Sequence, residues 1–316
     1  MLLSFFYGER GKEQYRANVR GVSDMANVSF QFVKTNGIHL HLAIAGPVDG
    51  PLVILLHGFP EFWFGWNNQL QALAEKGYRV VAPDQRGYNL SDKPKGLDHY
   101  TLDSLRDDVV GLIEFFQEKA AVIVGHDWGG AVAWHLAATR PEFVEKLIVL
   151  NIPHPRAMPR VLIKNPLQWM KSSYIAFFQL PHLPEKALGM GEFKRLHQGI
   201  AQSSNPHTFS TVEIEQYKTA WSQSDALTAM LNWYRAIRKG SFKQVPDTKI
   251  NVPVRIIWGL GDQFLSPMLA KESMAFCEEV NLAFVEQATH WIQHEQPEIV
   301  NHLIIQFINE QKRKTL

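Results

Sequence analysis

One cysteine, Cys277, stands in 316 residues. It excludes an intramolecular disulfide and any metal cluster built on thiolates. It also points to a reducing compartment, with the cytoplasm as the expected location. Charge of either sign is not in excess: Lys+Arg number 32 and Asp+Glu 31, for a net charge of +1. Taken over the whole chain, that balance removes the electrostatic case for nucleic acid or an anionic membrane as the main partner. No apolar run approaches the roughly 18 residues of a membrane span. The apolar stretch at residues 2–7 is short and lacks a basic flank, so it does not read as a signal peptide. No G-x-S-x-G is present, which removes a serine esterase built on that elbow. Internal repeats and low-complexity tracts are also absent.

What is present is a rhythm of strands and helices. Residues 1–25 read as an N-terminal extension outside the fold. Two alternating runs flank Asn36-Gly37, a hairpin signal. PLVILLHG, YRVVAPD, AAVIVGHD and EKLIVLN are short apolar runs of the kind buried in parallel sheets, and helical patterns lie between them. The alternation predicts an α/β fold with a doubly wound, mostly parallel sheet. It covers residues 26–151 and resumes over 247–316 with VPVRIIWG and VNLAFVEQ. Residues 152–246 break it with prolines, aromatics and helical spacing, and read as an inserted helical cap, or lid. Ligands of open α/β sheets bind at the carboxyl ends of the strands, where such a lid would sit.

The sharpest local signal is Gly125-His126-Asp127-Trp128-Gly129-Gly130, between an apolar run and a helix. Glycines around one polar residue suit a nucleophile elbow, although Asp127 on its own would also serve as a helix cap. A carboxylate there changes the chemistry. Serine attacking an sp3 carbon leaves an ether, which water does not readily cleave. Aspartate leaves an ester, which activated water hydrolyses, and it needs no base to become a nucleophile. Displacement at carbon follows: opening of an epoxide or loss of a halide. Asp262, in WGLGD, and His290, in ATHW, each follow a later strand, giving the chain order nucleophile, acid, base. His290 would deprotonate water and Asp262 would orient it. The backbone N–H groups of Phe59, in HGFPE, and Trp128 are the candidate oxyanion donors. Pro60 follows Phe59, and its isomer is open. His57, Asp84 and His154 read as structural, with His154 near the entry to the insertion. His294 reads as a surface residue and Tyr217 as structural.

HGFPE, DQRGYNLSDKP, GHDWGG, WGLGD and ATHW together resemble the α/β-hydrolase-fold epoxide hydrolases of the aspartate-nucleophile branch, over about residues 28–310. The resemblance implies a two-step mechanism with two lid tyrosines at the epoxide oxygen. Tyr174, in SSYIAFFQLP, and Tyr234, in LNWYRA, match those contexts. It also implies a small apolar epoxide substrate, a vicinal diol product and no cofactor or metal, in a monomer or homodimer. Three other readings are open to the same residues. Haloalkane dehalogenases use the same aspartate, but a frequent arrangement places Asn where this chain has Phe59. Many also carry the acid where Asn151 stands. Fluoroacetate dehalogenases clamp a carboxylate with Arg beside the nucleophile, where Trp128 and Gly129 stand. A catalytically silent ligand-binding α/β-hydrolase fold would have no need of the full residue set.

Overall fold

The computed structural model describes residues 28–240, 246 and 248–310, so the segment read as an extension lies outside the described residues. Strands β1 (Ser29–Thr35) and β2 (Ile38–Ala45) form an antiparallel hairpin with Thr35 opposite Ile38. Asn36 and Gly37 turn it with φ of +45° and +79°, the pair of positive values that a two-residue turn of this twist requires. Six further strands follow: β3 (Leu52–Leu56), β4 (Arg79–Pro83), β5 (Ala121–His126), β6 (Val144–Leu150), β7 (Val254–Gly259) and β8 (Val280–Val285). The sheet order is β1-β2-β4-β3-β5-β6-β7-β8, and every pairing from β4 to β8 is parallel. Every residue of β3, β5 and β7 is buried. Helices cover both faces, which is why these strands read as continuous apolar runs rather than alternating ones.

Helices α1 (Asn67–Glu75), α2 (Leu102–Phe115) and α3 (Trp128–Thr139) join the first strands. The β5–α3 junction is the tightest crossing. A Cβ on Gly129 would lie 2.1 Å from the Leu56 carbonyl oxygen, and one on Gly125 2.6 Å from Gly130 Cα. Only glycine lets strand and helix meet this closely.

Between β6 and β7 the chain makes helices α4 (Ala157–Lys164), α5 (Pro166–Lys171), α6 (Tyr174–Phe178), α7 (Leu183–Ser203), α8 (Thr211–Trp221) and α9 (Ala226–Arg235). α7 is two pieces, broken at residues 190–193, where Gly191, Glu192 and Phe193 have positive φ. Two buried indoles seat this segment on the sheet side: Trp221 Nε1–H donates to Pro60 O at 2.6 Å and Trp233 Nε1–H to Arg86 O at 2.9 Å. The remaining helices are α10 (Pro267–Ser273), α11 (Ile292–Glu295) and α12 (Pro297–Asn309). Asp84 fastens the turn after β4, accepting from the Trp63 N–H at 3.1 Å and from Asn89 Nδ2 at 2.8 Å. His154 is buried between Trp134 and Phe276, with ring centroids at 5.3 and 4.5 Å. Burial and the nearby Arg156 and Arg160 charges lower its pKa to about 3, so it packs as a neutral ring.

Candidate active site

Asp127, Asp262, His290 and Phe59 follow the carboxyl ends of β5, β7, β8 and β3 in that order, which are neighbouring strands or one strand apart in the sheet. Asp127 has φ +48° and ψ −124°. A side chain held there carries strain of about 1–3 kcal/mol. The flanking hydrogen bonds hold it in place: Asp127 N–H donates to Leu150 O and Ala131 N–H donates to Asp127 O. Its side chain does not cap α3. Instead Oδ1 accepts from the Phe59 N–H at 2.9 Å, while Oδ2 lies 3.6 Å from His290 Nε2. The other side of the imidazole, Nδ1, is 2.9 Å from Asp262 Oδ2. Trp128 is the first residue of α3, so its N–H lies at the N-terminal end of the helix, next to Asp127. The Phe59–Pro60 peptide is cis.

Asp262 is itself held rigidly. Its Oδ1 accepts from the N–H groups of Phe264 and Leu265 at 2.8 and 2.9 Å, and its Oδ2 from Asn151 Nδ2 at 2.7 Å. Asn151 in turn accepts from the Gly259 N–H at 3.0 Å. Asn151 therefore supports the acid from the end of β6. Its side chain is fully buried, and a position beyond a parallel strand was the available sequence signal for it.

Burial opposes charge on His290, but the Asp262 and Asp127 carboxylates on either side raise its pKa to about 10. Burial would raise the Asp127 pKa; His290, His126 and the Phe59 N–H overcome it and hold the carboxylate below its ordinary range. Tyr174 on α6 and Tyr234 on α9 meet above this group, ring centroids 6.0 Å apart, and their hydroxyls share a hydrogen bond. The Trp128 side chain hydrogen-bonds Tyr234. Burial pushes both phenols above their ordinary pKa; the Asp127 charge adds to it at Tyr174, and the neighbouring Tyr174 and then the Asp127 charge add to it at Tyr234. Phe59, Phe178 and Phe264 pack around the pair.

A model of the α/β hydrolase fold matches residues 51–297 of the chain. Human epoxide hydrolase 4 is 37% identical over 292 residues, which cover 89% of this chain and 79% of the human one. The chain belongs to the epoxide hydrolase family. Epoxide hydrolase 1 of Caenorhabditis elegans is 38% identical over 288 residues, covering 89% and 70%. A Bacillus subtilis (strain 168) relative, AB hydrolase superfamily protein YfhM, is 57% identical over 287 residues, covering 91% of this chain and 100% of its own. The crystal structure of a Bacillus megaterium epoxide hydrolase in complex with an inhibitor superposes with a TM-score of 0.80 at 30% identity, covering 89% and 100%.

In this epoxide hydrolase relative one buried cluster escapes a sequence reading. Glu61, of HGFPE, has its side chain 1% exposed. Its Oε1 accepts from the Tyr217 hydroxyl at 2.9 Å and lies 2.6 Å from His294 Nε2. Its Oε2 accepts from Gln293 Nε2 at 3.0 Å and lies 3.1 Å from His126 Nδ1. His294 is therefore not a surface residue. The short helix α11 turns it inward, and the Glu61 charge accounts for a polar ring being buried there. Burial would raise the Glu61 pKa, but His294 and His126 hold it far below the carboxylate range. His126 Nε2 lies 2.8 Å from the His290 carbonyl oxygen, so the cluster reaches the backbone of the histidine beside Asp127.

Proposed function

We propose that this chain is an epoxide hydrolase that opens an apolar epoxide to a vicinal diol through an ester on Asp127. The observation that carries the reading is the placing of one carboxylate between an N–H, an imidazole and two hydrogen-bonded phenols. Asp127 Oδ1 is engaged by the Phe59 N–H, which leaves Oδ2 to attack carbon. Helices α4–α9 act as the cap, and Tyr174 and Tyr234 bind the epoxide oxygen from it. As the C–O bond of the ring breaks, negative charge passes from Asp127 to that oxygen. Burial and, after it, the carboxylate charge keep the phenols weakly acidic; that charge is spent as the ring opens, so proton donation to the alkoxide becomes easier.

The same transfer of charge prepares the second step. Esterification removes the Asp127 charge that helps hold the proton on His290. The imidazole gives up its proton, which replaces the one that the tyrosine donated to the alkoxide, and becomes a base toward water, with Asp262 retaining its orientation. Water attacks the Asp127 carbonyl carbon. The oxyanion forms on Oδ1, where the Phe59 and Trp128 N–H groups receive it, an effect of roughly 3–4 kcal/mol for one donor in comparable sites. Collapse breaks the ester C–O bond; the departing oxygen takes the second proton of the attacking water to complete the diol, the first stays on His290, and carboxylate and imidazolium are restored. Phe59, Trp128, Phe178 and Phe264 favour an apolar substrate.

Single turnover in 18O-labelled water tests this route. The label is expected in Asp127 before it is found in diol. Label entering the diol directly in the first turnover would overturn the covalent step. A short haloalkane assayed in parallel, with halide release and no diol from styrene oxide, would reassign the same aspartate to dehalogenation.

A further inference from the structure

The chain-wide balance of charge conceals a local segregation. Residues 152–183 contain no Asp or Glu and four cations: Arg156, Arg160, Lys164 and Lys171. The same stretch holds the densest run of exposed large apolar side chains among the described residues. Ile163 is 85% exposed, Leu167 65%, Trp169 63% and Met170 73%. They lie on α4 and α5, which meet: Trp169 Nε1–H donates to Leu162 O at 3.2 Å. Asn165 Nδ2 reaches Met268 Sδ at 3.8 Å, which carries the face onto α10, where Met268 is also exposed. Glu272 contacts both Arg160 at 3.2 Å and Lys164 at 3.4 Å, so there one carboxylate serves two cations and a positive excess remains. An exposed apolar patch of this kind normally has an occupant. Cationic side chains rimming Trp, Leu and Ile on short amphipathic helices suit the headgroup zone of a bilayer.

We propose that α4 and α5 form a docking face for an anionic bilayer surface, on which the protein lies without spanning it. The position of α5 gives this a purpose. Its outer side carries Leu167, Trp169 and Met170, while buried Gln168 faces inward, donating to Phe264 O at 2.8 Å and accepting from the Ser266 N–H at 3.0 Å. Lys171 Nζ donates to Asp262 O at 3.0 Å. One helix therefore separates the proposed lipid face from the loop holding the catalytic acid, and Tyr174 follows within the next turn of chain. Apolar epoxides partition into lipid, so docking there would set the site beside its substrate reservoir. That last link rests on the function proposed above; the docking does not.

The test uses the full chain and sedimentation with vesicles of phosphatidylcholine, alone or mixed in equal parts with phosphatidylglycerol. Binding is expected to the mixed vesicles, weakened by salt, and not to phosphatidylcholine alone. The pair Ile163→Ser and Trp169→Ser, and separately Arg160→Glu with Lys164→Glu, are expected to lower partitioning about tenfold or more. Hydrolysis of styrene oxide in solution is expected to be unchanged in both variants. No binding by the unaltered chain, equal binding to neutral vesicles, or binding undiminished in both variants would overturn the proposal. So would a dimer that the Ile163 and Trp169 substitutions dissolve, because the face would then be covered by a second copy. Absence of diol with vesicle binding intact would instead overturn the proposed function and leave the docking standing.

Discussion

His290 sits between two carboxylates that do different things to it. Asp262 lies 2.9 Å from Nδ1, whereas Asp127, in the proposed route, loses its charge on becoming an ester. Replacing the proposed base while keeping the proposed nucleophile should therefore separate the steps. His290→Gln is expected to react once with an epoxide and stop, so intact-mass measurement should find the protein heavier by the mass of one epoxide. An unmodified mass would mean that Asp127 is not alkylated. Each phenol is expected to matter to ring opening but not to ester hydrolysis. Tyr174→Phe and Tyr234→Phe should each lower the alkylation rate about 10²-fold or more, read as the rise of the ester in stopped flow. The same charges bear on stability. The folded pKa of His290 is raised from 6.5 to about 10, so protonation favours the folded state. That contribution is fully present below about pH 6.5 and is lost as pH rises through about 10. Urea titrations across this window should show stability falling with pH, with a shallower fall in His290→Gln. An identical slope in both proteins would show that another group carries the effect.

At the scale of elements, the junction of β5 and α3 places Asp127, the proposed nucleophile, and its tolerance is small. A methyl on Gly129 would meet the Leu56 carbonyl oxygen at 2.1 Å and the His57 carbonyl oxygen at 2.5 Å, both backbone atoms of another strand and its turn. Gly129→Ala is expected to destabilise by about 1–3 kcal/mol and to reduce activity further than that loss explains, because Asp127 shifts with the helix. Denaturant melts beside kcat measurements check both. This junction was legible in the sequence, since tight backbone packing leaves glycines at fixed offsets around the polar residue. The parallel strands were legible for a similar reason: burial on both faces removes polar residues from runs such as Leu52–Leu56. Other features were not. Glu61 and His294 are 233 residues apart and meet at 2.6 Å, and no local pattern announces such a pair. Four residues beyond His290, a histidine on a short helix reads as exposed until the helix direction is known. The break in α7 at residues 190–193 was equally silent, because one glycine in a helical pattern is compatible with a continuous helix.

Across the whole molecule, the helical segment between β6 and β7 is fastened to the sheet at the points where the site is assembled. Trp221 bonds Pro60 O, next to the Phe59 N–H that holds Asp127. Tyr217 bonds Glu61, whose partner His126 precedes Asp127. Glu295 accepts from the Asn205 N–H beyond α7 at 2.7 Å and from the Thr289 N–H beside His290 at 2.6 Å. These ties are buried or half-buried, so releasing the helices would break several hydrogen bonds at once, each worth about 0.5–1.5 kcal/mol net. The two parts should therefore unfold together, although the chain is long enough for separate transitions. Tryptophan fluorescence reports on both, through Trp221 and Trp233 in the helices and Trp134 and Trp258 against the sheet, all fully buried. Urea unfolding followed by fluorescence, by far-ultraviolet circular dichroism and by residual diol formation is expected to give coincident midpoints. An early fluorescence step that removes activity while the dichroism persists would show that the helices detach as a unit. The arrangement around Asp127 and His290 would then depend on helices that detach well below the stability of the sheet.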